Sequence, residues 1–249
     1  MTLSHILITI FLLHYPLNVH PASTDKNLGV LKIGTMDLRP YGWSAENGQG
    51  HGIIFEMNNE IGKRIGVSYQ NRIYPFKRML KLLKEGEIDL ISSQGHLEAL
   101  RSGEKVAIQF NINVIAATKK NSTISTLDDF KGKHVIFHRS ASYKKIEEQT
   151  DKIVRVNNYK QALRLLNGDR QVAGAVFSEP AYYYWMKELK LTPKDFGNTI
   201  LLSDNKEQWV FVRKNLPIEM KQKIKTAVES IYKENYYEKL LQKYGKSTQ

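Results

Sequence analysis

YPFKRMLKLLKEGEIDLISSQGHLEALR, running from Tyr74 to Arg101, packs a helix, a strand and a loop into one unit, and its reading decides the fold. Pro75 suits the first turn of a helix, where a missing N–H costs nothing. Phe76, Met79, Leu80 and Leu83 then recur at i, i+3, i+4 and i+7 on one face, with Lys77, Arg78, Lys81 and Lys84 on the other. Gly86 supplies the left-handed residue that commonly closes a helix, and Ile88, Leu90 and Ile91 begin a buried strand that ends at Ser92-Ser93-Gln94-Gly95. Ligands of open α/β sheets gather outside the carboxyl ends of strands. By position the loop Ser92–Arg101 is therefore either a site or an ordinary surface loop.

The same alternation extends in both directions. Val30 to Gly34 reads as a strand, TMDLRPYGWSAENGQGHG as a turn-rich loop, and Ile54, Met57, Ile61 and Ile65 as a helix face stopped by Gly66. Val67, Tyr69 and Ile73 suit a second strand, which completes a βαβαβ unit and points to a mainly parallel sheet flanked by helices. Ala107 to Lys120 leaves this unit as an extended segment. A second unit follows, with Thr126 and Asp129 spaced as a capping box, strands at His134–Phe137, Lys152–Val156 and Val172–Phe177, and Ser142 placed to cap a helix. Tyr159, Ala162, Leu163 and Leu166 line one further helix, and Tyr182, Trp185, Met186 and Leu189 another. LKLLKEGEIDLI and LRLLNGDRQVAGAV share a helix–glycine–strand plan, which favours two similar lobes over one large sheet. A strand at Glu207–Lys214 and helices after Pro217 close the chain.

Composition bounds the function. With 41% hydrophobic residues in 249, the chain holds real cores, and its lack of cysteine excludes disulfides, thiolate metal sites, cysteine nucleophiles and a lipid-modified N-terminal cysteine. Ile6 to Tyr15 is an apolar run of signal-peptide length with an expected cut after Ala22, and no later run approaches transmembrane length. The expectation is export to the periplasm as a soluble, monomeric product. The net charge of +12 is spread over the polar faces of nearly every helix, which reads as a solvated basic surface, and no nucleic-acid-binding motif is present.

Four stretches together resemble the periplasmic amino-acid-binding proteins of bacterial ABC importers. They are GHGIIFEMNNEIGKRIG (50–66), PFKRMLKLLKEGEIDLI (75–91), STLDDFKGKHVIFHRSASY (125–143) and the most specific, WVFVRKNLPIEMKQKIKTAVESIYKENYYEKLLQKYG (209–245). The resemblance implies an α/β protein of two similar lobes, each a mainly parallel sheet flanked by helices. Its lobes, 28–115 plus 207–249 and 116–206 after a signal peptide at 1–22, would be joined by two hinge strands near Val114–Thr118 and Asp204–Trp209. They would close over a small solute for a membrane ABC permease.

What the resemblance implies for the site is specific. Arg101 stands at the family's spacing beyond Asp89 and would hold a ligand carboxylate bidentately, helped by backbone N–H groups at Ser140–Ser142; a second register puts Glu104 there instead. Glu179 would meet the ligand ammonium, with Asp37 as a second acid, and Tyr41 and Trp43 would wall the pocket. Tyr74 and Phe76 read as core. His96 and Glu98 replace the family's usual threonines, and Phe110-Asn111-Ile112-Asn113-Val114 departs from its Phe-Ser-x-Pro-Tyr, so a polar solute other than an ordinary α-amino acid is in view.

Two other classes stand beside this one. A few relatives of the family are dehydratases, and His51, His96, Glu98 and Glu179 would then supply acid–base groups. The sequence carries no nucleophile elbow, phosphate loop or spaced metal cluster, since His134 and His138 are placed along a strand, and no cofactor is expected. The third class is a soluble partner that reports ligand occupancy to a membrane sensor.

Overall fold

A computed structural model describes residues 29–168 and 171–245; the apolar run Ile6–Tyr15 and the cut after Ala22 lie outside them. In chain order the elements are β1 Leu31–Met36, β2 Trp43–Ser44, β3 Gly50–His51, α1 Ile53–Ile65, β4 Tyr69–Tyr74, α2 Phe76–Glu85, β5 Leu90–Gln94 and α3 Leu97–Ser102. Then come β6 Glu104–Lys119, β7 His134–His138, α4 Lys144–Glu147, β8 Lys152–Val156, α5 Tyr159–Gly168, β9 Val172–Ser178, α6 Glu179–Glu188, β10 Phe196–Val212, α7 Ile218–Lys233 and α8 Tyr236–Tyr244.

The strands β4, β1 and β5 are parallel neighbours, as are β8, β7 and β9. Between these two groups lie β10 and β6, long and antiparallel to each other, giving the order β4-β1-β5-β10-β6-β9-β7-β8. Helices cover both faces of each half. One face of the first half is packed by α1, α7 and α8 around Ile33, Met57, Phe110 and Val228, the other by α2 and α3 around Met79, Leu83, Ile91 and Phe211. The second half has α5 and α6 on one face and Phe130, Phe137 and Ile146 on the other. Each fully buried Leu, Ile, Met or Phe contributes about 1.5–3 kcal/mol, so every face is held by several such anchors. The result is the two-lobed α/β fold.

Local chemistry fixes the ends. Gly66 and Gly86 close α1 and α2 in the left-handed conformation at φ 75° and φ 77°, and Pro75 stands directly before α2. Asp89 anchors the start of β5, accepting from the Lys32 backbone N–H at 2.8 Å and from Arg213 Nε at 2.6 Å. The expected extended segment Ala107–Lys120 is the greater part of β6, whereas β10 begins well before the expected strand Glu207–Lys214, and both run through both lobes. Their ladder changes neighbours at Asn113 and Asp204–Asn205: Val114 already pairs with Ser178 of β9, while Gln208 pairs with Gln94 of β5. A bulge leaves Gln109 unpaired between Ile108 and Phe110 and turns its amide toward α1, where Nε2 donates to Asn58 Oδ1 at 3.1 Å.

Candidate ligand-binding site at the lobe junction

The loop after β1 is braced before it reaches the junction. Leu38 and Gly42 form an isolated bridge, the Tyr41 N–H donates to the Leu38 carbonyl at 2.7 Å, and the carbonyls of Pro40 and Tyr41 accept from Ile53 and Ile54 at the start of α1. The otherwise unpaired N–H groups of that helix end thereby lock the loop. Tyr41 is consequently buried, and its phenol crosses to the second lobe, beside Ser178 at the end of β9 and near Tyr143 and Tyr159. Tyr143 in turn reaches the Gln94 side chain at the end of β5.

Burial raises the pKa of Tyr41, Tyr143 and Tyr159 alike, so at neutral pH all three are O–H donors. The Tyr41 hydroxyl, Ser178 Oγ and Gln208 Nε2 are buried at this junction without a hydrogen-bond partner of good geometry. Buried polar atoms are ordinarily paired, and the Tyr41 and Ser178 hydroxyls, which meet between the two lobes, have capacity for a further partner.

Beside the hinge, on the sheet face covered by α2 and α3, a cavity of about 370 Å³ is lined by Gln94, His96, Lys105, Lys206 and Trp209 among others. His96 caps α3, its Nδ1 accepting from the Ala99 N–H at 3.3 Å, and its ring meets the Phe76 edge at 5.3 Å. Desolvation holds its pKa below the ordinary histidine value. Lys105 Nζ lies 4.1 Å from the Trp209 ring centre, and Lys206 Nζ lies 6.0 Å from that of Tyr143. Asp204 and Glu207 line the same cavity, so its two lysines are matched by two carboxylates.

The remaining expected site residues are dispersed. Arg101 is exposed on the last turn of α3, with no hydrogen bond or ion pair among the described residues, and Asp37 is exposed at the end of β1. Trp43 does not wall the cavity: it stacks on His51 at 5.7 Å, meets Tyr244 edge-on at 5.5 Å and Tyr184 of the second lobe at 5.9 Å, and carries the Arg39 guanidinium at 5.2 Å. Glu179 points to another cavity, where Oε2 accepts from Asn113 Nδ2 at 2.9 Å. The turn at Ser140–Ser142 has already found an anion, because Glu147 accepts from the Tyr143 N–H at 3.1 Å and from Ser142 Oγ at 3.2 Å. Ser140 Oγ lies 2.9 Å from His138 Nδ1; the Asn157 carbonyl can only accept from His138 Nε2, so Nδ1 is the acceptor. Ser142 thus serves Glu147, and Tyr143 takes the cap position of α4.

Residues 31–247 match the family model described as bacterial extracellular solute-binding proteins, family 3. The chain belongs to this family. It is similar to the probable amino-acid-binding protein YxeM of Bacillus subtilis (strain 168), at 24% identity over 90% of this chain and 86% of that one. In structure it is similar to the GluR0 ligand-binding core in complex with L-glutamate (TM-score 0.72, 17% identity, 88% of this chain and 99% of that one). It is likewise similar to an arginine third transport system periplasmic binding protein from Legionella pneumophila (TM-score 0.70, 21% identity, 86% and 99%).

Of the residues at this junction, sequence reading passed over Lys105, Tyr143, Tyr159, Ser178 and Lys206, whereas Gln94 lies in the loop Ser92–Arg101 already marked by position. One signal was available for Ser178. It is the last residue of β9, and sites of α/β sheets gather at strand ends, whereas Glu179 is the first residue of the following helix. No group of three or more His, Cys, Asp or Glu suited to a metal ion occurs among the described residues, and no helix there is long and apolar enough to cross a membrane. The family is one of solute-binding proteins rather than enzymes.

Proposed function

We propose that this chain is an exported periplasmic protein that closes its lobes on a small, polar, amino-acid-like solute carrying a carboxylate and hands it, as a monomer, to a membrane ABC importer. The observation that supports this reading is the polar cavity at the hinge, where Gln94 and His96 of one lobe meet Lys105, Lys206, Asp204 and Glu207 of the crossing strands beside the Tyr143 phenol. Donors and ammonium groups suit a carboxylate. Arg101, whose guanidinium has no partner among the described residues, is proposed as the carboxylate contact of the first lobe, and Asp37 as the acid that meets a solute ammonium. The L-glutamate held by the GluR0 core and the arginine transport system of the Legionella protein support an amino-acid-like ligand.

A melting screen of the purified protein against amino acids, polyamines, organic acids and small peptides tests the proposal. A solute that binds only the folded state raises the melting temperature by mass action. Stabilisation confined to carboxylate-bearing solutes is expected. If no solute shifts the transition while one is chemically consumed, the binding reading fails in favour of an enzyme.

A further inference from the structure

On the opposite sheet face, covered by α1, α7 and α8, lies a second cavity of about 320 Å³. The first cavity mixes lysines with carboxylates, whereas the charged residues that line this one are acids. Glu179 enters from α6 in the second lobe and Glu238 from α8, and both carboxylates act on the Tyr237 phenol between them, adding to the burial that raises its pKa. Tyr183 and Tyr237 supply aromatic surface. The crossing strand β6 contributes two more acceptors: Gln109 Oε1 and Asn111 Oδ1 are buried and without a hydrogen-bond partner, and Gln109 is wholly inaccessible to solvent. The bulge in β6 that turns Gln109 out of the ladder is what aims it here.

Two carboxylates, two unpartnered amide oxygens and phenolic faces call for a donor-rich cation. In a chain of net charge +12 this acceptor-rich pocket is also a local reversal of sign. Two carboxylates with amides and aromatic faces suit an organic ammonium or guanidinium group, which satisfies acceptors by hydrogen bonds and tyrosines by cation–π contact, better than a divalent metal ion. The volume falls in the range of small-molecule sites, about 300–1,000 Å³.

We infer that this rear cavity is a second binding site, for a small organic cation, distinct from the solute cavity beside α2 and α3. Because Glu179 belongs to one lobe and Glu238 to the other, a cation between them favours the lobe angle that brings the two together. Calorimetry on the full chain with putrescine and guanidinium chloride, and with sodium and magnesium chloride as controls, tests the inference. Saturable binding of the organic cations is expected, weakened at least tenfold by Glu179→Gln and by Glu238→Gln. Glu219→Gln, at the far end of α7 and roughly 20 Å along that helix, is expected to leave it unaltered. Glu238 is exposed, so its variant reports even where Glu179→Gln fails to fold. Absence of binding by either organic cation at about tenfold molar excess over millimolar protein, or binding that neither glutamine variant weakens, overturns it.

Discussion

Gly52 is the position where a single methyl group tests how the junction is built. Its backbone sits at φ 120° and ψ 162°, a region open essentially to glycine alone, and a Cβ there would lie 2.4 Å from the Tyr41 carbonyl oxygen and 2.7 Å from the Gly42 nitrogen. Both atoms are backbone, so no side-chain rotation relieves the collision. Gly52→Ala carries about 1–3 kcal/mol of conformational strain and about 1–3 kcal/mol of overpacking, for a central value of about 4 kcal/mol. Against a net stability of about 5–15 kcal/mol the variant still folds, melting about 8–16 °C lower for a chain of this size. Gly48 provides the internal reference. It also has positive φ, at 79°, yet a Cβ there would meet no atom within 4 Å, so Gly48→Ala bears only the left-handed cost of about 1–2 kcal/mol and about 2–8 °C. Scanning calorimetry compares the melting points, and titration with the best solute from the melting screen compares the affinities. Gly52→Ala should lose both stability and affinity, because the atom it strikes carries Tyr41 toward Ser178. Equal melting points and equal affinities for the two variants would refute the claim that this packing positions Tyr41.

Three further outcomes are expected. Arg101→Ala should weaken a carboxylate-bearing solute by about 1.5–3 kcal/mol, the value of a hydrogen bond to a charged group, and an unchanged calorimetric affinity removes Arg101 from the site. Asp89→Asn should cost a similar amount, about 1.5–3 kcal/mol, read as a lower denaturation midpoint, since it weakens the 2.6 Å bond from Arg213 that ties β10 to β5; an unshifted midpoint counts against that role. His138 is buried, faces Arg139, Arg155 and the Tyr159 ring, and has its pKa lowered chiefly by desolvation. The unfolded chain therefore binds the proton first, so stability should fall as pH drops through about 6.5 and stop falling below the folded value, whereas His138→Gln should flatten that part of the melting profile.

Much of the fold was legible because its signals are local. The Tyr74–Arg101 stretch forms the helix, glycine stop and strand that its periodicity predicts, and Asp129 does accept from the Thr126 N–H at 2.9 Å, half of the expected box. β6 was legible as the extended segment Ala107–Lys120, but the early start of β10 at Phe196 was not, because an apolar run does not say which neighbour it pairs with. Polar Asn205 sits where the ladder changes partners, and composition alone reads such a residue as a loop. At the site, residue types were easier to guess than directions. Trp43 was visible as an aromatic in a glycine-rich loop, but only the fold shows it bridging to Tyr184, and Glu147 had no motif to mark it as the anion that occupies the Ser142 turn.

The pair Ser178 and Glu179 shows why one residue of register matters so much here. Ser178 ends β9 and lies beside the Tyr41 and Tyr159 phenols, whereas Glu179 begins α6 and its carboxylate turns to Asn113 and the acceptor-rich cavity. Had the acid stood one position earlier, a carboxylate would face two protonated phenols and offer a solute ammonium a buried partner. Instead the junction presents hydroxyls there, while Glu179 and Glu238 line the cavity on the opposite sheet face. Ser178→Asp therefore exchanges one chemistry for the other. It should strengthen binding of ammonium-bearing solutes and weaken that of simple carboxylates, by at least tenfold between the two, because a charge at this buried position must find a counter-charge. A variant whose solute preference matches the parent chain would show that Ser178 does not touch the solute.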